Sequence, residues 1–490
     1  MMNLRGFVIV CVSLLVAAVA PQLLIGSAPD LTRKCLSLLI VSAMWWIGEP
    51  FPSYVTSLAV VTLSVGLGIL NGKAAAAAFF DPVMFLFISG FSLASAMEKY
   101  QITRRLSTPL MRRILASADK RGGDLMFHMG ISVLCVLLSA VVSNVAASVL
   151  VASIGKTVAA SLMMEPRAQK RLFLTIAFAS NVGGMVVPIA SPQNLIALSI
   201  LKSASNISIG FMEWLQFSGP LCLLTLLIIY IVLRRRFGVS RLAHGYGDGL
   251  SVMHHKRFDD DDDDDETESI SGGKRGAVSG LSQFAVSVIV CGTVVGWCFF
   301  EQFKLDTVFH HMGIFGLISV VLLHAIGFSD QSDWQSLPWP ILTLLGGGMV
   351  LGESVEQSGL LNSLTDVVMA ARGDSSPFII YSITLCGIGL VANFLSSTVC
   401  ALITLPVIAK VGTSLGHPRL FVMAAALMTS GAMALPVSSF PNANSAGIRD
   451  SQGNVLLKVS DFTKSGFPIV VVFLATLVTI GYLYGSSLGL

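Results

Sequence analysis

Two apolar runs constrain the fold most strongly. One extends from about Leu125 to Leu162 and is interrupted at its centre by Ser139-Ala140-Val141-Val142-Ser143-Asn144-Val145-Ala146-Ala147. The other extends from about Phe378 to Leu415 and is interrupted by Asn393-Phe394-Leu395-Ser396-Ser397-Thr398-Val399-Cys400-Ala401. Each is too long for one bilayer crossing, which takes about 20 residues, and suits two half-length arms meeting at a polar tip. Basic residues flank the first run: Arg104, Arg105, Arg112, Arg113, Lys120 and Arg121 precede it, and Arg167, Lys170 and Arg171 follow. Positive charge stays on the cytoplasmic side, so a segment basic at both ends enters and leaves by one face. The pattern predicts re-entrant helical hairpins over 125–162 and 378–415. Irregular backbone at membrane depth persists only beside protein or a water-filled cavity, so both tips should line a site.

Composition places the whole chain in lipid. Of 490 residues 54% are hydrophobic and 12% charged, against about a quarter charged in soluble domains. The runs are continuous where a β-barrel would alternate, so the expected class is an all-α polytopic membrane protein. Nine acidic residues lie between Asp259 and Glu268, leaving 31 basic residues against 19 acidic (28 less 9) elsewhere. That surplus of basic charge reads as a topology signal and not as a nucleic-acid surface. Eight cysteines are scattered through apolar segments without a C-x-x-C pair, which indicates small buried hydrophobes and neither a disulfide framework nor a zinc site.

Along the chain, Leu4 to Ile25 has some character of a signal peptide but is long for one, and further spans follow at once, so it reads as the first span. Spans are expected at Leu36 to Gly48, Val55 to Leu70 and Pro82 to Met97, with Trp45 and Trp46 suited to an interface and Glu49 to a helix end. Lys99 to Arg121 has amphipathic character suited to the interface. Leu172 to Val187 then breaks at Pro188-Ile189-Ala190-Ser191-Pro192-Gln193-Asn194, where two prolines should leave unpaired backbone groups able to hold ions. Phe211 to Leu233 closes a first transmembrane half, 1–236. Residues 237–279 read as a disordered acidic cytoplasmic linker.

The second half, 280–490, repeats the plan: Leu281 to Phe300, Gly313 to Phe328, Pro340 to Val355, a hairpin, Leu420 to Pro436, a break at Ser438-Ser439-Phe440-Pro441-Asn442-Ala443-Asn444, and Phe467 to Tyr484. Pro82, Gly90 and Glu98 match Pro340, Gly348 and Glu356 at a constant offset of 258, the tips match at 253, and Pro188 matches Pro436 at 248. About 11 transmembrane helices result, with the N-terminus inside. The first hairpin opens to the cytoplasm and the second outward, which makes the halves inverted repeats, the plan of many secondary transporters. Arg33 and Lys34 fall on the outer side in this scheme, against the charge rule.

A tip starts the helix of its second arm, where unpaired N–H groups and the positive end of the dipole favour an anion. Ser, Asn and Thr both cap such ends and offer contacts to a ligand. Two tips from opposite faces can enclose an oxyanion, with side-chain oxygens nearby for a hard cation. No Arg or Lys lies near the centre of these spans and few acidic residues are available for a proton relay, which points to sodium coupling. The plainer reading is that Ser and Thr in membrane helices bond their own backbone; two such tips, each followed by a proline break, argue beyond it. Gly346, Gly347 and Gly348 read as packing positions, and the Asn206-Ile207-Ser208 sequon as an external site open to either outcome.

The pattern resembles the divalent anion:sodium symporter family. Trp45 to Pro52 looks like its tryptophan-glutamate-proline signature, and the tips look like its paired Ser-Asn-Thr motifs. Val145 stands in place of the first threonine and Ser397 in place of the second asparagine. With Ser191-Pro192-Gln193-Asn194, these departures look closest to the low-affinity phosphate carriers of fungi and protists. The resemblance implies a homodimer working as an elevator, with a static scaffold and a mobile transport domain. It implies anion contacts from Ser143, Asn144, Ser396, Ser397, Thr398 and Ser439. It further implies one sodium on Ser139, Ser143, Asn144 and the Ala190 carbonyl, and a second on Asn393, Ser397 and the Ser438 carbonyl. Such carriers usually carry an N-terminal domain sensing inositol polyphosphates, which these residues do not include.

The expected function is sodium-coupled transport of inorganic phosphate in a plasma, vacuolar or other acidic-organelle membrane. The same machine carrying succinate or citrate is the alternative, and an anion channel is a third reading. No enzyme activity and no cofactor beyond coupling sodium is expected, since no metal-spaced His pair or activated nucleophile lies at membrane depth.

Overall fold

A computed structural model describes residues 4–25, 28–103, 105, 109–111, 113–114, 123–141, 143–161, 164–205, 207–238, 280–300, 302–360, 363, 376–449 and 454–490. Nearly all of the acidic linker, much of Lys99 to Arg121 and the sequon Asn206 lie outside them.

The described chain is helical. In order it forms α1 (Leu4–Ile25), α2 (Asp30–Gly48), α3 (Ser53–Gly66), α4 (Gly72–Phe79), α5 (Pro82–Lys99), α6 (Gly123–Val141), α7 (Asn144–Ser161), α8 (Pro166–Val186), α9 (Pro192–Ser205) and α10 (Phe211–Phe237). The second half forms α11 (Gly280–Cys298), α12 (Met312–Ala325), α13 (Trp339–Gln357), α14 (Pro377–Val391), α15 (Ser397–Ser414), α16 (Pro418–Ser430), α17 (Phe440–Ala446) and α18 (Val459–Thr476), which runs through a π turn to Ser487. Single 3-10 turns, Pro188–Ala190 and Pro436–Ser438, mark the two breaks. Among the described residues eight helices are long and apolar enough to cross a membrane.

Local chemistry sets the helix starts. Asn71 and Asp81 accept from the N–H groups of Ala74 (2.8 Å) and Val83 (2.9 Å), capping α4 and α5. Glu49 ends α2 in the left-handed region at φ 48°, and Trp46 is buried against the protein and donates its indole N–H to Ser53 O (3.3 Å).

The helices form two packed groups. In the first, α13 lies against α3 and α4, α12 against α5, and α1 against α2. Hydroxyls join them: Ser64 and Ser354 meet at 2.7 Å, and Thr32 donates to Ser358 O at 2.7 Å. The second group contains α6–α10 and α14–α18. Within it, α8 carries the first hairpin. Arg171 and Thr175 of α8 meet Asp124 and His128 of α6, and Gly183 lies on Ser139, so α6 runs parallel to α8. Asn144 of α7 lies on Gly184, while Gly155 lies on Phe173 and Ile176, so α7 runs antiparallel to it. The arms therefore turn back between Val141 and Ser143. The same reading holds for α14 and α15 on α16, through Tyr381 on Phe421, Gly389 on Met428 and Gly412 on Phe421.

The arms are not half-length. They contain 19, 18, 15 and 18 residues, or about 22–28 Å at about 1.5 Å per residue. Leu420 to Pro436 is likewise not one span, because α16 stops at Ser430 after 13 residues.

The hairpins open toward opposite ends of α10. Near its start Glu213 pairs with Arg419 (3.1 Å) at the base of the second hairpin. Near its end Tyr230 donates to Asp124 (3.2 Å), and Arg171 donates to Gly238 O (2.7 Å), at the base of the first. Helix α18 runs the other way, with Asp461 against Lys170 (2.9 Å) and Tyr484 donating to Gln216 O (3.0 Å).

Candidate functional site

Three serines cap the helices that start at the tips and at the second break. Ser143 Oγ accepts from Ala146 N (3.2 Å), Ser396 Oγ from Val399 N (3.3 Å) and Ser439 Oγ from Asn442 N (3.3 Å). Each cap takes one of the first-turn N–H groups that a helix leaves without an intrahelical partner. The start of α7 or α15 then carries the dipole's positive end. Asn144, Ser397 and Thr398, in the first turns, are buried, as is Ser439.

Around the first tip, Ser139 and Asn144 close on α8 at a pair of glycines. A Cβ at Gly183 would fall 2.8 Å from Val136 Cα, and one at Gly184 would fall 2.7 Å from Asn144 Nδ2, so a side chain at either position would force a neighbour to shift. Ala190 sits in the 3-10 turn, its N–H donating to Val187 O (3.2 Å). Four carbonyls beside the break, those of Gly184 to Val187, are paired. Gly184 O accepts from Ser191 Oγ (2.7 Å) and Asn194 Nδ2 (2.7 Å), and Val187 O accepts from Asn194 Nδ2 (2.9 Å). Trp214 and Ser218 of α10 donate to Met185 O (2.9 Å) and Val186 O (2.8 Å). Among the side-chain oxygens here, Ser139 Oγ and Asn194 Oδ1 are buried without a hydrogen-bond partner. Hydroxyl and amide oxygens are of the kind that suit a hard cation, and Ser139 and Asn144 lie on adjacent glycines of α8.

Around the second tip, Ser397 Oγ donates to Ser438 O (2.9 Å), which brings two of the three residues of the second sodium set together. Asn393, the third, spans the tip: its Nδ2 donates to Gly389 O (2.6 Å) and its Oδ1 accepts from Ala434 N (2.9 Å). Carbonyl-type oxygens have two lone pairs, so Ser438 O and Asn393 Oδ1 each retain one acceptor site.

No hydrogen bond among the described residues runs from one tip to the other. The halves are joined by side chains of the two breaks bonded to Asn181, Ser148 and Ser430, three residues that sequence reading passed over. Asn181 Nδ2 donates to Asn442 Oδ1 (3.0 Å), Asn444 Nδ2 to Ser148 Oγ (2.9 Å) and Gln193 Nε2 to Ser430 Oγ. The signal for Asn181 was present: it is an amide inside the apolar run from Leu172 to Val187.

Two opposed helical hairpins, two proline-broken helices and eight apolar helices define a multi-pass membrane protein of transporter architecture. Comparison with known proteins gives the family: the profile of the citrate transporter family CitMHS matches residues 43–368 and 310–487, and the chain belongs to this family. It is 33% identical to an uncharacterized transporter of Schizosaccharomyces pombe over 93% of this chain and 50% of that one. It is 27% identical to the inorganic phosphate transporter PHO87 of Saccharomyces cerevisiae over 93% of this chain and 47% of that one. It is 26% identical to sodium-dependent high-affinity dicarboxylate transporter 3 of Caenorhabditis elegans over 88% and 80%. The chain thus spans about half the length of the two fungal relatives. The YdaH transporter of Alcanivorax borkumensis shares the fold, with a TM-score of 0.55 at 14% identity over 96% of this chain and 98% of that one. The family and these relatives are transporters and not enzymes.

Proposed function

We propose that the chain is a sodium-coupled symporter of inorganic phosphate. The observation carrying this reading is the pair of serine-capped helix starts, at Ser143 and Ser396, on hairpins that open toward opposite ends of α10. Such starts offer N–H donors and a positive dipole end to an oxyanion without a fixed cation. Ser143, Asn144, Ser396, Ser397, Thr398 and Ser439 bind the anion. The set Ser139, Ser143, Asn144 and Ala190 holds one sodium, and Asn393, Ser397 and Ser438 the other. Eleven crossings place the N-terminus inside. The group of α6–α10 and α14–α18 moves against the first group as an elevator, in a homodimer, in a plasma or acidic-organelle membrane. The phosphate transporter among the fungal relatives supports this cargo, and the sodium-dependent dicarboxylate transporter of C. elegans supports sodium as the coupling ion.

The dicarboxylate relatives favour one second reading, a sodium-coupled dicarboxylate carrier. The test is uptake of labelled phosphate into proteoliposomes with and without an inward sodium gradient, with succinate and sulfate as competitors. Gradient-stimulated phosphate uptake is the expected result. Uptake indifferent to sodium removes the coupling, and labelled succinate entering in place of phosphate moves the assignment to the second reading.

A further inference from the structure

Asn194 and Asn442 occupy the same place in the two broken helices, each six residues after the first proline of its break. Both turn their Nδ2 back onto carbonyls at the break: Asn194 to Gly184 O and Val187 O, Asn442 to Leu435 O (2.9 Å), with Ser438 Oγ at 3.2 Å. Their oxygens differ. Asn194 Oδ1 is buried without a partner, whereas Asn442 Oδ1 accepts from Asn181, on the long helix α8 of the other half. Asn181 is 2% exposed and Asn442 0%. At the position of the second half matching Asn181 stands Thr429, whose hydroxyl donates to its own helix at Ala426 O (2.8 Å). The second break is therefore held from across the pseudo-symmetric interface by a buried amide pair, where the first is held by Gln193 on Ser430.

Asn442 also donates its own N–H to the Ser439 cap, and Ser438, its contact at the break, presents the carbonyl that Ser397 bonds. Fixing Asn442 thus fixes the direction of the Ser438 carbonyl. On the sodium-coupled reading above, on which this step rests, we infer that Asn181 is a positioning residue for the second sodium site. It touches neither sodium nor anion. It holds Asn442, and through Asn442 the 3-10 turn Pro436–Ser438, in the geometry that receives the cation. The first half thereby sets the sodium affinity of the second.

The test uses full-length protein in proteoliposomes carrying Asn181→Ser or Asn181→Val, with Thr429→Val as control. Sodium activation of phosphate uptake is measured at saturating phosphate, and phosphate KM at saturating sodium. Both Asn181 variants should raise the sodium concentration for half-maximal uptake by about five-fold, the scale of one net hydrogen bond. Maximal rate and phosphate KM at saturating sodium should stay within about two-fold, a split that general loosening of the fold does not give. Sodium-dependent shifts in melting temperature of the detergent-purified variants report the same change in affinity without transport. If Asn181→Val does not fold, Asn181→Ser decides. An unchanged sodium midpoint in Asn181→Ser, or a lost maximal rate at an unchanged midpoint, overturns the inference. So does an equal shift in Thr429→Val. Wild-type uptake that ignores sodium overturns the functional reading itself and is seen before any variant is compared.

Discussion

Arg171 and Asp124 form a two-pronged ion pair at the base of the first hairpin, with Nη1 at 2.6 Å and Nη2 at 3.1 Å from the two carboxylate oxygens. Arg171 is 1% exposed. The pair is tied into two helices besides its own two: Tyr230 of α10 donates to the carboxylate, Arg234 donates to the Tyr230 hydroxyl (3.1 Å), and neighbouring Lys170 and Arg236 meet Asp461 of α18 at 2.9 and 3.5 Å. Basic residues that mark topology in the sequence are thus also structural, closing one end of the hairpin against the helices that flank it.

Removing one partner of this buried pair strands the other. Asp124→Ala and Arg171→Met should each destabilise the protein by about 3–5 kcal/mol, while an apolar replacement of both should recover much of that loss. Thermal unfolding of the purified single and double variants measures it; strictly additive losses would show that the two charges do not depend on each other.

Asn144→Ala and Thr398→Ala should each reduce anion uptake by at least about ten-fold, as expected when a buried polar contact to the ligand is lost. Surface expression and melting temperature should remain near wild type. Uptake at the wild-type rate by both variants would refute the assignment of the tips.

At Gly184 a methyl group would meet the Asn144 amide at 2.7 Å, with the rest of that side chain directly behind it. Gly184→Ala should cost about 1–3 kcal/mol by overpacking and displace the first tip, with a loss of uptake. Gly219→Ala, where the added carbon meets only Leu215 at 3.7 Å, is the matched control and should transport normally. Comparable losses in both would point to a general sensitivity of helix glycines.

Outside the membrane, the Asp330 carboxyl is held well below the usual carboxylate range by the Ser332 hydroxyl and then by the Lys99 ammonium, which also reaches Asp333 at 2.6 Å. A depressed carboxylate stabilises the fold above its unfolded pKa and loses that contribution as pH falls through the folded value. Asp330→Asn should therefore lower stability by a constant amount between about pH 5 and pH 8, with the gap from wild type closing only under strong acid. Melting temperatures across pH test this; a gap that varies near neutrality would assign the titration to another group.

Much of the helical plan was legible because its signals are local. Apolar runs of the right length became helices, and proline at 188 and 436 broke them where a ring without an N–H must. Ser143, Ser396 and Ser439 emerged as caps because a hydroxyl next to a helix start bonds a donor only three residues away. The candidate oxygens were legible only in part. Proline breaks were expected to expose carbonyls; Ser191, Asn194, Trp214 and Ser218 donate to four of those beside the first break, and Ser139 Oγ and Asn194 Oδ1 are buried side-chain oxygens without a partner. Asn194 was noted in the break but not as a ligand, because nothing in a sequence says which end of an amide will be satisfied.

The sequence by itself determined the solvent and the building material: lipid outside, helices within, two halves with matching punctuation, and hydroxyl-rich interruptions in each. These follow from composition and from bonds spanning three or four residues. Tertiary structure alone decided that Asn181 meets Asn442 across 261 positions and that Arg171 meets Asp124 across 47. Such pairs depend on which faces of distant helices pack together, and a buried amide or charge takes whichever partner that packing delivers.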